Sequence, residues 1–216
     1  MYYDSVFVKK NKEYLTEKQI TENSPILIDL DFRYEFEIEE RQHNFNDIQD
    51  IITLYLEELK NLLIIEEKVK FPIFIMEKPN VNRVLDKKIT KDGIHIIIGI
   101  QMEHILQMLL REKILEKIPD ICSLPLINDW NSVLDEGISK GTTNWQCYGS
   151  QKPNNESYKL SYIIECEIDP IDNEFMTETL KVEDFNLKKN IQLLSARYNK
   201  HVKFEINPKI NDIYNS

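Results

Sequence analysis

A chain of 216 residues with 42% hydrophobic and 30% charged side chains can bury a substantial core, as one domain or one domain with two lobes. Its net charge of −10, from 37 acidic and 27 basic side chains, argues against tight non-specific nucleic-acid binding by the whole surface, though a local basic groove remains compatible with it. Cys122, Cys147 and Cys166 follow no zinc spacing, the first twenty residues are studded with Lys and Glu, and the apolar runs are too short for a bilayer. These features argue against a structural zinc, a signal peptide and a membrane span. The expectation is an intracellular, cytoplasmic protein with free thiols.

Residues 1–24 are polar and mixed, with Tyr2, Tyr3, Val6 and Phe7 able to form a short element. Residues 25–32 follow, a compact apolar run after a proline that reads as a buried strand. Side chains alternate along a strand, so Asp29 and Asp31 share one face and Leu30 takes the other. Two adjacent carboxylates repel one another, and a hard divalent cation relieves that repulsion; the competing reading is a strand that ends in a polar turn. Residues 33–46 are charged and loop-like. Over 46–65 the apolar residues Ile48, Ile51, Ile52, Tyr55, Leu59, Leu62 and Leu63 keep the spacing of an amphipathic helix, capped by Asn44 or Asn46.

Residues 71–76 predict a second strand, and a basic stretch with Arg83, Lys87, Lys88 and Lys91 comes after it. Such a run is either a solvated face or a path for phosphate. A third strand is expected over 93–99, with His95 on the face opposite Ile94 and Ile96, and Gly93 beside it permitting close approach. Residues 102–117 predict a helix with Ile105, Leu106, Leu109, Leu110 and Ile114 on its apolar side and His104 as a structural residue. Helical patterning returns over 130–138, where Val133 and Leu134 precede Asp135. Residues 144–153 run from Trp145 through Tyr148 and Gly149 to Ser150, Lys152 and Pro153, a turn that offers a hydroxyl and an ammonium to phosphate, or an ordinary hairpin. A partner strand over 158–166, an acidic loop over 167–183, a helix over 184–198 and a strand over 201–206 complete the reading. There is no internal repeat, GxGxxG or P-loop, and the element order is that of an α+β (mixed α/β) chain.

Taken together, Asp29 with Asp31, Gly93 with His95, and Asp135 after two apolar residues form an ordered set that resembles the motifs of the archaeo-eukaryotic primase superfamily. The segment from Asn144, Trp145 and Gln146 through Tyr148, Gly149, Ser150, Lys152 and Pro153 to Tyr158, Lys159 and Leu160, with Leu194, Ser195, Arg197, Tyr198 and Asn199, resembles the primase domain of the poxvirus-type primase-helicases of large DNA viruses. The likeness spans about residues 24–200, and Gly93 departs from it by standing where many primases carry Ser.

The resemblance implies one primase-polymerase catalytic domain over 1–216, with its core at about 24–206. Its fold would be an RRM-like sheet joined to a smaller αβ lobe, with the cleft between them. It implies Mg²⁺ or Mn²⁺ on Asp29, Asp31 and Asp135, catalysis by these three with His95, and nucleotide or phosphate contacts from His95, Ser150, Lys152, Arg83, Lys88 and Lys91. Tyr148 or Trp145 would stack a base, with a buried strand position the alternative for Trp145. Single-stranded DNA template and nucleoside triphosphates are the implied partners, together with a superfamily 3 helicase domain in a longer protein, at a cytoplasmic or viral replication site. The rival readings are a metal-dependent nuclease or replication initiator, against which the lack of an HxH pair speaks, and a degenerate DNA-binding module without catalysis.

Overall fold

The computed structural model describes residues 1–210. Its strands are β1 (Thr16–Glu17), β2 (Ser24–Glu35), β3 (Leu63–Ile64), β4 (Phe71–Glu77), β5 (Asn82–Val84), β6 (Ile89–Met102), β7 (Trp145–Gln146), β8 (Lys159–Ile168), β9 (Phe175–Leu180) and β10 (Glu205–Ile206). Its α-helices are α1 (Phe45–Leu62), α2 (His104–Ile121), α3 (Trp130–Val133), α4 (Glu136–Ser139) and α5 (Leu187–Asn190).

Six strands form one antiparallel sheet in the order β2-β6-β4-β8-β9, and β5 takes over from β4 along the first residues of β6. The fold is therefore the expected α+β one, and β2-α1-β4-β6-α2-β8 repeats the RRM-like chain order β-α-β-β-α-β.

Alternation in β2 and β6 sorts the two faces. Ile26, Ile28, Leu30, Phe32 and Tyr34 of β2, with Ile94, Ile96, Ile98 and Ile100 of β6, are buried in the core beneath α1 and α2. The same period sends Leu27, Asp29 and Asp31 to the opposite face. Asn44, not Asn46, caps α1, and the Asp47 carboxylate accepts from the Asn44 N–H to complete a capping box. α2 buries Leu106, Leu110, Ile114 and Ile118, but Ile105 is exposed because it lies on the far side of the helix. α2 also begins later than the pattern suggested, since Met102 ends β6, and it runs on through Pro119.

A smaller lobe covers part of the other face. β1 pairs β7, and Trp145 and Ile138 pack with Leu27, Phe74, Ile97 and Ile163 in a second core. Among the described residues no helix is long and apolar enough to cross a membrane. The cysteines are free thiols.

Several local expectations change. The helix over 130–138 is two four-residue helices broken at Leu134 and Asp135, because Leu134 forms an antiparallel bridge with Leu30. The acidic loop contains β9, a mostly exposed edge strand whose lack of an apolar face hid its pattern. The helix over 184–198 shortens to α5 and a 3₁₀ turn, and the strand over 201–206 to β10. Within the segment over 144–153 only Trp145 and Gln146 form a strand.

One packing contact gives a direct stability prediction. Gly99 of β6 faces Pro72 of β4 so closely that a Cβ would lie 2.7 Å from the proline Cδ and 2.9 Å from its carbonyl oxygen. Gly99→Ala is therefore expected to destabilise the chain by about 1–3 kcal/mol. A denaturant melt unchanged from wild type would contradict this close approach.

Candidate active site

Antiparallel register sets Asp29 opposite His95 and Asp31 opposite Gly93. The His95 Nε2 is 3.6 Å from an Asp29 carboxylate oxygen. Asp135 comes from the smaller lobe: the Leu134 bridge runs on into a hydrogen bond from the Asp135 N–H to the Asp29 carbonyl at 3.1 Å. The break in the helix is thus what delivers the third acid to the first. The three carboxylates and His95 line one cleft between the open face of the sheet and the smaller lobe, and Lys78, Lys91 and Lys152 line it too. An adjoining hollow shares Asp29, His95, Asp135 and Lys152 and is closed by Thr143 and Trp145.

The acids have partners. Asp31 accepts from Arg33 at 2.9 and 3.2 Å, and its other oxygen pairs with Lys91 at 2.9 Å. Asp135 caps α4 by accepting from the Ile138 N–H at 3.0 Å. Burial pushes the Asp29 carboxyl up, but His95 opposite it, with Lys152 and Lys78, outweighs that and holds it below the usual carboxylate range. Asp29 is therefore ionised at neutral pH. Burial and the like charge of Lys152 push the Lys78 ammonium down, while Asp29 and Asp31 partly restore it.

His95 is held between rings. Tyr158 stacks on it at 3.6 Å between centroids, and Trp145 packs at 4.3 Å. The Lys78 ammonium lies 5.0 Å from the centroid of Tyr158. Behind the cleft, on the helix face of the sheet, Arg41 bonds the buried Asp92 at 2.8 and 3.1 Å and Glu77 at 3.1 Å. His43 bonds the same Glu77 at 2.7 Å. Asp92 also accepts from the Gly93 N–H at 2.9 Å, and Arg41 donates to the Lys78 carbonyl at 2.7 Å, so this network holds the backbone on which two cleft residues sit.

Of the residues singled out from the sequence, Asp29, Asp31, His95, Asp135, Lys91 and Lys152 meet in the cleft. Ser150 does not: it is buried, with its hydroxyl bonded to Tyr2 at 2.9 Å and to the Leu15 N–H at 3.3 Å. Arg83 is turned away, pairing with Glu39 at 2.7 Å and lying over the Phe36 ring. Lys88 lies in the turn between β5 and β6 with φ +48°. Tyr148 stacks on Phe7 and accepts from the Leu160 N–H, and Trp145 is buried, so neither ring stands free for a base. His104 is structural, bonded to the Ser139 carbonyl at 2.7 Å.

Sequence reasoning missed Lys78, Asn82, Asn155 and the ring of Tyr158, all of which line the cleft. Each is an isolated polar residue beside a strand end or in a loop, with no spacing to mark it. Glu77-Lys78-Pro79 at the close of a strand was a signal for Lys78, and Tyr158 stood in the primase-like segment without a role assigned to its ring.

The donor set of three carboxylates suits a hard divalent cation by chemistry. As arranged here, among the described residues no three His, Cys, Asp or Glu side chains close around one point. Asp31 is paired with Arg33 and Lys91.

Residues 1–164 match a family model described as the C962R protein N-terminal AEP domain. The chain is also similar to the putative helicase L207/L206 of Acanthamoeba polyphaga mimivirus, with 31% identity over 194 residues. That match covers 88% of this chain and 19% of the relative, so the chain spans about a fifth of that protein's length.

Proposed function

This chain belongs to the AEP family, the archaeo-eukaryotic primases, and we propose that it is a primase-polymerase catalytic domain that makes primers on single-stranded DNA from nucleoside triphosphates. The observation that carries this reading is the meeting of Asp29, Asp31 and Asp135 with His95, Lys91 and Lys152 in one cleft. Acids for cations and bases for phosphates are the two requirements of nucleotidyl transfer, and here they face each other.

In this reading Asp29, Asp31 and Asp135 would hold Mg²⁺ or Mn²⁺. Divalent cations, when bound, lower the pKa of an attacking hydroxyl and neutralise charge on leaving pyrophosphate. The chain's own groups bind and orient. His95, fixed between two rings, donates to a phosphate oxygen; Lys152 and Lys91 neutralise the triphosphate, and Asp29 keeps its charge because its cationic neighbours hold it ionised. The match to a fifth of a protein named as a helicase supports a primase domain that works in one polypeptide with a helicase, of superfamily 3 in our reading.

Incorporation of labelled nucleotide on a primed single strand with Mn²⁺ tests the proposal. Wild type incorporates. His95→Ala and Lys152→Ala each raise the nucleotide KM by about tenfold, the worth of one charged hydrogen bond, and leave template affinity unchanged. Equal loss of template and nucleotide binding would remove His95 and Lys152 from the phosphate site, and a wild type without incorporation would overturn the reading.

A further inference from the structure

Gly93 and Tyr158 occupy one another's space. A Cβ built on Gly93 would lie 2.7 Å from the Tyr158 hydroxyl oxygen and 3.1 Å from the Leu30 carbonyl. Between Asp31 on the partner strand and His95 two residues on, position 93 faces the cleft, and the phenol comes in from the residue before β8 to fill the gap. The ring is fixed by packing: His95 stacks on it at 3.6 Å, and Lys78 approaches it at 5.0 Å. No group among the described residues hydrogen-bonds its hydroxyl. The nearby acceptors have other partners, since Asp31 is engaged by Arg33 and Lys91 and Asp92 by Arg41 and the Gly93 N–H.

We propose that the Tyr158 hydroxyl is a hydrogen-bond donor to a phosphate oxygen of the incoming nucleoside triphosphate, and that position 93 carries no side chain because that hydroxyl takes its place. The donor rests on the primase reading for the identity of its ligand. A phenol is a neutral O–H donor at working pH, and burial raises this one further above its usual range. Lys78, Lys91 and Lys152 line the same cleft and supply the positive charge that a phosphate needs alongside Asp29, Asp31, Asp92 and Asp135. A neutral hydroxyl among three ammonium groups adds a phosphate contact without adding to their mutual repulsion.

The test is a double-mutant cycle with two readouts, thermal melting and calorimetric titration with inorganic tripolyphosphate, on the full chain. Tyr158→Phe keeps the stack on His95 and removes only the hydroxyl. Its melt should stay close to wild type, and its tripolyphosphate affinity should fall about tenfold. Gly93→Ser should melt markedly lower in the wild-type background and much less so in Tyr158→Phe, where the clashing oxygen is gone, and the double variant should recover part of the lost affinity. Tyr158→Phe binding as tightly as wild type would overturn the donor role, and equal Gly93→Ser losses in both backgrounds would overturn the shared space. If either occurs while wild type still incorporates nucleotide, this inference alone fails. A wild type that neither binds tripolyphosphate nor incorporates removes the primase reading and this inference with it.

Discussion

Asp29→Asn and Asp31→Asn are each expected to lower nucleotide incorporation by on the order of 10³-fold while the chain stays folded. The amide preserves the size of each side chain and removes the charge. Their side chains are 23% and 30% exposed, so neither leaves a sealed void or a stranded dry charge. In Asp31→Asn the former partners Arg33 and Lys91 are 40% and 32% exposed and hydrate readily. In Asp29→Asn, His95 keeps its ring contacts with Tyr158 and Trp145. Melting curves near wild type, with incorporation gone and Mn²⁺ binding weakened by electron paramagnetic resonance, would fit the assignment. Incorporation within a few-fold of wild type in either variant would take that carboxylate out of the site.

The second large effect falls behind the cleft. Arg41→Met is expected to cost about 3 kcal/mol, because it leaves the fully buried Asp92 and the nearly buried Glu77 without their guanidinium partner. For a chain of this size that is roughly 6–12 °C in Tm. The pH dependence has a definite sign. Burial raises the Glu77 carboxyl, but His43 and Arg41 outweigh it and hold it below its usual value. Its contribution to stability is therefore full above the unfolded carboxylate value of about 4.3 and is lost as pH falls through the folded one. Without Arg41 the folded value rises, so acid unfolding begins at higher pH. Melts across acid pH would show both effects, and a variant within 1–2 °C of wild type would contradict this role for the network. Because Arg41 also holds the Lys78 carbonyl, nucleotide affinity should fall in the same variant.

What could be read from the sequence was what short periods encode. Alternation alone puts Asp29, Asp31 and His95 on the faces where they lie, since β2 and β6 are long and buried on the helix side. It could not say that Asp29 and His95 stand opposite each other, which is a matter of register between distant strands. Asp135 was legible as an acid after apolar residues, but its position depends on the Leu134 bridge, a tertiary contact that overrides the local helical pattern. Ser150, Arg83 and Lys88 were read by residue type in suggestive settings, and each proves to be placed by partners far off in sequence or by a turn. Lys78 and the Tyr158 ring reach the cleft only through folding, and although Tyr158 lies in the primase-like segment nothing local assigns its ring to the cleft. Gly93, which departs from the primase pattern, has its physical reason in the Tyr158 oxygen 2.7 Å from where a Cβ would sit.

Nucleotidyl transfer that begins a new strand is the activity proposed for this cleft. The most direct measurement is de novo synthesis on unprimed single-stranded DNA with labelled nucleotides and Mg²⁺ or Mn²⁺, wild type beside the Asp29→Asn/Asp31→Asn double variant. Short products are expected from wild type and none from the variant. Products of equal yield from both would place the chemistry elsewhere. An absence of product from wild type, with neither nucleotide nor metal bound, would contradict the account and leave a degenerate module that keeps the primase fold without its reaction.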